Sequence, residues 1–173
     1  MRFPVLFAAA LALSCCGSTR EAAPGPTAPF DAAEAGFIRK SGVATINGQA
    51  FLRDRTGQVN VHFASGEVVR LVPATTYAQA RVAQFYGAGK FVAAGAIPKV
   101  SADPEYAAYT RTTKSDAMGR FSFDKVAPGR YFVMSQLIWR PKDGFTSEGG
   151  AMYEEVTVTG TESGPIKIML TGN

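Results

Sequence analysis

Apolar residues alternate with polar ones along most of this chain, and that period of two limits its fold more than any other feature. Ile46, Gly48, Ala50 and Leu52 alternate with Asn47, Gln49 and Phe51. Val59, Val61 and Phe63 alternate with Asn60, His62 and Ala64. After a Ser65-Gly66 turn signal, Glu67 to Pro73 carries Val69 and Leu71 in phase. Successive side chains of a strand point to opposite faces, so each run specifies a half-buried strand. Further strands are expected over Tyr106–Lys114, Arg120–Asp124, Arg130–Arg140, Tyr153–Thr159 and Pro165–Leu170. In the last, Ile166, Ile168 and Leu170 face one way, Lys167 and Met169 the other. Glycines and prolines punctuate the runs at hairpin-like spacing. The expected fold is all-β, a Greek-key β-sandwich of about seven or eight strands with one short helix.

That helix is expected where the alternation breaks, over Thr76 to Tyr86. Thr76-Tyr77-Ala78-Gln79 fits a capping box, in which hydroxyl and amide each satisfy an end N–H. Tyr77, Arg81 and Phe85 share one helical face, and Gly87 ends the turn. Gly87 to Pro104 reads as a loop with one extended piece, Phe91 to Ile97.

Of the 173 residues, 46% are apolar, which excludes a disordered chain. The formal charge is +4. Its basic residues, among them Arg53, Arg70, Lys90, Lys99, Arg120 and Lys167, are dispersed, so nucleic acid is not a partner. The only cysteines are Cys15 and Cys16, which leaves residues 41–173 with no disulfide and no thiolate metal site. No cofactor is implied.

The N-terminus has its own logic. Arg2 precedes an apolar run from Phe3 to Leu13, too short to cross a bilayer and of the length of a secretory h-region. The junction Ala12-Leu13-Ser14-Cys15 resembles the lipobox of bacterial lipoproteins. The resemblance implies that residues 1–14 are a signal peptide and that Cys15 carries a thioether diacylglycerol and an N-acyl chain. Two chains suffice for stable anchoring. Cys16 is the alternative lipidation site: Leu13 precedes it at the right distance, but Cys15 stands where the family has Gly, Ala or Ser. The residue after Cys15 is not the aspartate that the family associates with inner-membrane retention. The implied location is therefore the outer membrane of a bacterial envelope. An ordinary cleaved signal peptide is the other reading. Residues 15–40 are expected to form a tether, because Gly17 to Gly36 is rich in Ala, Pro and Gly and lacks an amphipathic period. Residues 41–173 are the expected domain.

The segment Ser115-Asp-Ala-Met-Gly-Arg-Phe-Ser-Phe-Asp-Lys-Val-Ala-Pro-Gly-Arg-Tyr131 carries a second resemblance. Asp116 to Gly119 makes a turn, Phe121 and Phe123 share one strand face, and Pro128-Gly129 sets a second reversal. The pattern resembles the hallmark hairpin of the carboxypeptidase regulatory-like domain, a transthyretin-like (prealbumin-like) sandwich. The resemblance implies core roles for Phe121, Phe123 and Tyr131 and turn roles for Gly119 and Gly129. Thr76 to Asp103 is extra to the simplest version of that family.

Catalytic groups are scarce. His62 is the only histidine and is expected to face outward from a strand. Zinc carboxypeptidase chemistry needs more ligands than one histidine supplies. Hydroxyisourate hydrolase shares the transthyretin-like fold but ends in Tyr-Arg-Gly-Ser, whereas this sequence ends Leu170-Thr171-Gly172-Asn173. No nucleophile elbow or phosphate loop is present. Glu154 and Glu155 point to opposite faces of a strand, so they do not act as a pair. Asp103, Glu105 and Asp116 would form an oxygen-ligand calcium site only if their loops converged, and their spacing matches no calcium loop. No metal site is assigned.

The candidate ligand-binding loop is Trp139 to Gly150, with Trp139, Arg140, Lys142 and Phe145 as its residues. The alternative is that Trp139 packs at the sandwich end and the rest is solvated. The leading expectation is a non-enzymatic, lipid-anchored envelope protein whose sandwich binds or spaces an envelope protein or polysaccharide. The second is a carbohydrate-binding module using Trp139 and Phe145, with Tyr86 or Tyr109. The third is a small transthyretin-like hydrolase.

Overall fold

The computed structural model describes residues 28–53, 60–142 and 144–172. The expected signal peptide, both cysteines and the first part of the expected tether lie outside these residues. Among the described residues nine strands form: β1 (Ala44–Arg53), β2 (Val61–Phe63), β3 (Val68–Pro73), β4 (Phe91–Ala93), β5 (Arg111–Lys114), β6 (Arg120–Val126), β7 (Gly129–Trp139), β8 (Glu148–Val158) and β9 (Ile166–Leu170). Two helices, α1 (Ala32–Ala35) and α2 (Thr76–Tyr86), and three short 3-10 segments accompany them. The all-β sandwich is the observed fold, with more helical pieces than the single helix expected.

The first sheet is built on β1. Residues Ala44–Gln49 pair antiparallel with β6, and Phe51–Arg53 with β2, while Ile46–Ala50 pair with β9 in parallel. Ala50 is the handover point: its N–H donates to the Gly119 carbonyl, and its own carbonyl accepts from the Ala64 N–H. Both groups of one strand residue point to the same edge, so β6 and β2 flank the same side of β1. The second sheet runs β4-β8-β7-β3-β5, all antiparallel. Between the sheets lie Ile46 and Ala50, Val69 and Leu71, Phe121 and Phe123, Tyr131 and Val133, Met152 and Leu170, all buried.

The segment Ser115–Tyr131 is not a hairpin. β6 belongs to the first sheet and β7 to the second, so Ala127-Pro128 carries the chain across the sandwich. The Tyr131 hydroxyl donates to the Ala127 carbonyl at 2.7 Å and locks the crossing. Gly129 is required there: its φ is +155°, and an added Cβ would lie 2.4 Å from the Phe37 ring. The core roles of Phe121, Phe123 and Tyr131 hold, since all three are buried.

Other boundaries differ for local reasons. Asp103 accepts from the Glu105 N–H and Pro104 follows it, so Pro104–Tyr109 winds as a 3-10 segment and the strand starts only at Arg111. β8 starts at Glu148, ahead of the expected Tyr153, because its pairing with β7 runs through Gly149 and Gly150 to Trp139↔Glu148. Only glycine fits at 150, where a Cβ would meet the Val92 carbonyl at 2.0 Å.

The tether expectation also changes. Asp31 caps α1 through the N–H groups of Ala33 and Glu34. Ala35 and Ile38 are buried, and Phe37 packs against Tyr131 with centroids 5.2 Å apart. Phe30 packs against Tyr77 and Tyr109. Apolar residues concentrate at the end of the Ala/Pro-rich stretch, and burying them makes residues 30–39 part of the domain.

Candidate functional site

The predicted loop does not form an aromatic platform. Trp139 ends β7 half-buried and stacks on His62 of β2, with centroids 4.0 Å apart and ring planes 13° off parallel. The two residues come from opposite sheets, so the stack closes one end of the sandwich. His62 therefore has a partner, contrary to the lone outward position expected of it. Phe145 is fully exposed, and Arg140 and Lys142 are exposed on the same loop. Tyr109 is covered by Phe30 and by the Arg39 guanidinium, 3.9 Å from its ring centroid.

The carboxylates are occupied as well. Asp116 accepts from the N–H groups of Met118 and Arg120 and so builds its turn. Glu154 pairs with Lys90 at 2.7 Å, and Glu155 pairs with Arg130. Among the described residues no group of three His, Cys, Asp or Glu side chains could hold a metal ion, so Asp103, Glu105 and Asp116 do not converge.

A cleft has instead formed on the outer face of the second sheet. β7 sends Tyr131, Val133, Ser135 and Leu137 inward, which turns Phe132, Met134 and Gln136 outward. Register then sets Tyr153, Met134, Arg70 and Thr112 in one row across β8, β7, β3 and β5. α2 lies over this face and packs Ala78 and Val82 onto Val72 and Phe132.

The helix is positioned at its N-terminus. Its cap is Thr75, one residue before the expected Thr76: the Thr75 hydroxyl accepts from the Ala78 N–H. Gln79 reaches back to the Ala74 carbonyl instead of closing a box with Thr76. Thr76 is held by Glu34, whose carboxylate accepts from both its N–H and its hydroxyl. A carboxylate there also suits the positive end of the helix dipole.

Between α2, the segment Pro104–Thr110 and the sheet is a cavity of about 400 Å³. Val72, Val82, Phe85, Met134 and Ala107 give it apolar walls. Arg70, Arg81, Tyr86, Tyr106, Thr110, Thr112 and Gln136 give it polar groups, and among the described residues no Asp or Glu lines it. The Tyr86 ring packs against Tyr153, 4.6 Å between centroids. Tyr106 packs against Tyr77, whose hydroxyl accepts from the Asp103 N–H. Burial raises the Tyr86 hydroxyl far above the usual phenol range, with Tyr153 adding to it. Burial pushes Tyr106 up to about 12, against the opposing fields of Arg81 and Arg70. Both phenols are neutral hydrogen-bonding groups near pH 7.

The two arginines differ. Arg81 donates to the Ser101 carbonyl at 2.9 Å, with its guanidinium 5.4 Å from the Tyr106 centroid, and is held in place. Arg70 is exposed in the middle of the outer row, and among the described residues its guanidinium makes no ion pair and no hydrogen bond. Apolar walls with a few converging polar groups are the usual makeup of a small-molecule site. Tyr86 was among the aromatics singled out from the sequence. Arg70, Arg81, Tyr106 and Gln136 were not, although Arg70 between Val69 and Leu71 is legible as an outward cation.

No family model and no curated protein matches the chain. Among solved structures, the crystal structure of a candidate carbohydrate-binding protein from Pseudomonas aeruginosa matches it with 31% identity and a TM-score of 0.70. The match covers 83% of this chain and 98% of that one.

Proposed function

Because this chain belongs to one family with that Pseudomonas aeruginosa protein, we propose that its sandwich is a carbohydrate-binding module whose site is the cleft beneath α2. The observation that carries the reading is the cavity of about 400 Å³ in which the tyrosines Tyr86 and Tyr106 meet Gln136, Thr112 and two guanidinium groups around apolar walls. A sugar ring presents hydroxyl edges and apolar faces, and such a lining answers both. The module is a binder and not a hydrolase in this reading. Glycoside hydrolysis uses a pair of carboxyl groups across the bond, and among the described residues neither Asp nor Glu lines the cleft. The membrane anchor is part of the same proposal: cleavage would remove the apolar run through Ser14, and lipidated Cys15 would hold the module at the outer membrane, facing envelope polysaccharide.

Thr112 stands at the edge of the row and is exposed, so Thr112→Trp fills the cleft from a tolerant position. In a screen of the purified full chain against neutral and acidic oligosaccharides, Thr112→Trp is expected to abolish any binding while leaving the melting temperature unchanged. Phe145→Ala is expected to leave binding intact. The opposite result would return the site to the loop after Trp139.

A further inference from the structure

We propose, resting on that reading, that the saccharide is an acidic one, whose carboxylate pairs with the Arg70 guanidinium at the floor of the cleft. The cleft is charged on one side only. Among the described residues two guanidinium groups line it and no carboxylate does. Neutral sugars offer hydroxyl groups, which a binding site meets with acceptors as well as donors. Here the charged groups are all donors, and the acceptors are neutral hydroxyls and an amide.

The two cations have separate tasks. Arg81 spends one arm on the Ser101 carbonyl and lies beside the Tyr106 ring, so it is fixed before a ligand arrives. Arg70 has no such commitment among the described residues, although four carboxylates of this domain, Glu34, Asp116, Glu154 and Glu155, are engaged elsewhere. Its position is set by the sheet: Met134 of β7 and Thr112 of β5 flank it in the outer row. A planar guanidinium in that place offers a two-pronged fork to a carboxylate, with charge-assisted hydrogen bonds. Met134 gives the sugar ring an apolar neighbour, and Thr112 and Gln136 lie on the same outer face for its hydroxyls. The net formal charge of +4, which loses only Arg2 with the proposed signal peptide, draws an acidic polymer toward the surface as well.

The test is calorimetric binding to the purified full chain. The probes are tetramers of galacturonate, glucuronate and mannuronate, each beside its methyl ester, which keeps the ring and removes the charge. At least one acid should bind about tenfold or more tighter than its ester, the scale of a charged hydrogen bond. Arg70→Gln should reduce the acid to the affinity of the ester, and Arg70→Lys should restore part of the difference, since lysine supplies the charge without the fork. Melting curves of both variants should match the parent, because Arg70 is exposed. Esters binding as tightly as acids, or an acid preference that survives Arg70→Gln, overturns the acidic ligand while leaving the carbohydrate cleft standing. A sulfated oligosaccharide binding in place of every uronate overturns the carboxylate assignment. Failure of all sugars, acidic and neutral, overturns the carbohydrate reading and this one with it.

Discussion

Three tyrosines keep their protons beyond the ordinary phenol range, and the cause that leads in each case is burial: Tyr86 and Tyr106 in the cleft, Tyr131 at the chain crossing. Their stability contribution has a definite sign. In the unfolded chain a phenol loses its proton near pH 10, whereas Tyr106 and Tyr131 hold theirs to about 12 when folded. Above pH 10 the unfolded state binds fewer protons than the folded one, so stability falls as pH rises. The contribution is complete below about pH 10 and is lost through about pH 12. Urea midpoints should be level up to about pH 9.5 and drop beyond, and Tyr106→Phe should lessen the drop. A midpoint that holds through pH 11 contradicts this. Phe123 makes a simpler case. It is 3% exposed, between the sheets, so Phe123→Ala should cost about 3–5 kcal/mol in denaturant titrations. A variant melting with the parent would mean that the faces of β6 are inverted. Phe121 and Phe123 illustrate what a sequence makes legible: alternation fixes which side of a strand is buried, and both follow it. It does not reveal partners, and so the stack of His62 on Trp139, between opposite sheets, is invisible until the sheets are assembled.

At the scale of elements, α2 was legible as a helix because its pattern departs from period two and Gly87 ends it. What it covers was not legible. Alternation marks Arg70, Phe132 and Met134 as outward, but an outward face of a sandwich is solvated or covered with equal ease. The difference lies in a contact between distant segments: Glu34 in α1 accepts from the Thr76 N–H and hydroxyl, and sets the helix over the sheet. The same holds for the crossing at Ala127-Pro128. Turn residues announce that the chain reverses, and a hairpin and a crossing between sheets share them. Only the register partners decide, and β6 takes β1 while β7 takes β3 and β8. If Glu34 positions α2, then Glu34→Ala should lower stability by about 0.5–2 kcal/mol, as the loss of a helix cap does. It should also raise amide exchange selectively in the first turn of α2 and weaken ligand binding in the cleft. Uniform exchange along the domain would show that the helix is held by Val82 and Ala78 alone.

The whole molecule joins an N-terminal lipid-anchor pattern to a sandwich, and the boundary between them decides how the two work together. Residues 30–39 are not spacer: Phe30, Ala35, Phe37 and Ile38 pack on the domain, and Phe37 lies against Tyr131 at the crossing. A chain cut to begin at Ser41 loses all four, with Glu34 besides. Burial of side chains the size of Phe and Ile contributes on the order of 1.5–3 kcal/mol each, so the cut should lower the melting temperature by several degrees or more. A chain beginning at residue 28 should melt like the mature protein. Equal melting of the two would return residues 28–40 to the tether. In this proposal the packing of residues 30–39 makes the spacer only the chain between Cys15 and Pro29, about half the length read from composition alone, and so the cleft would sit nearer the membrane. No helix among the described residues is long and apolar enough to cross a membrane. Attachment in this proposal is through Cys15. Intact mass of protein from the membrane fraction should lack Met1 to Ser14 and carry acyl chains. Cys15→Ser should move the protein to the soluble fraction, with its sugar binding and melting temperature unchanged, because the cleft is complete within residues 70–136. A Cys15→Ser protein that stays lipidated points to Cys16, and one that stays on the membrane without lipid shows that the sandwich itself binds there.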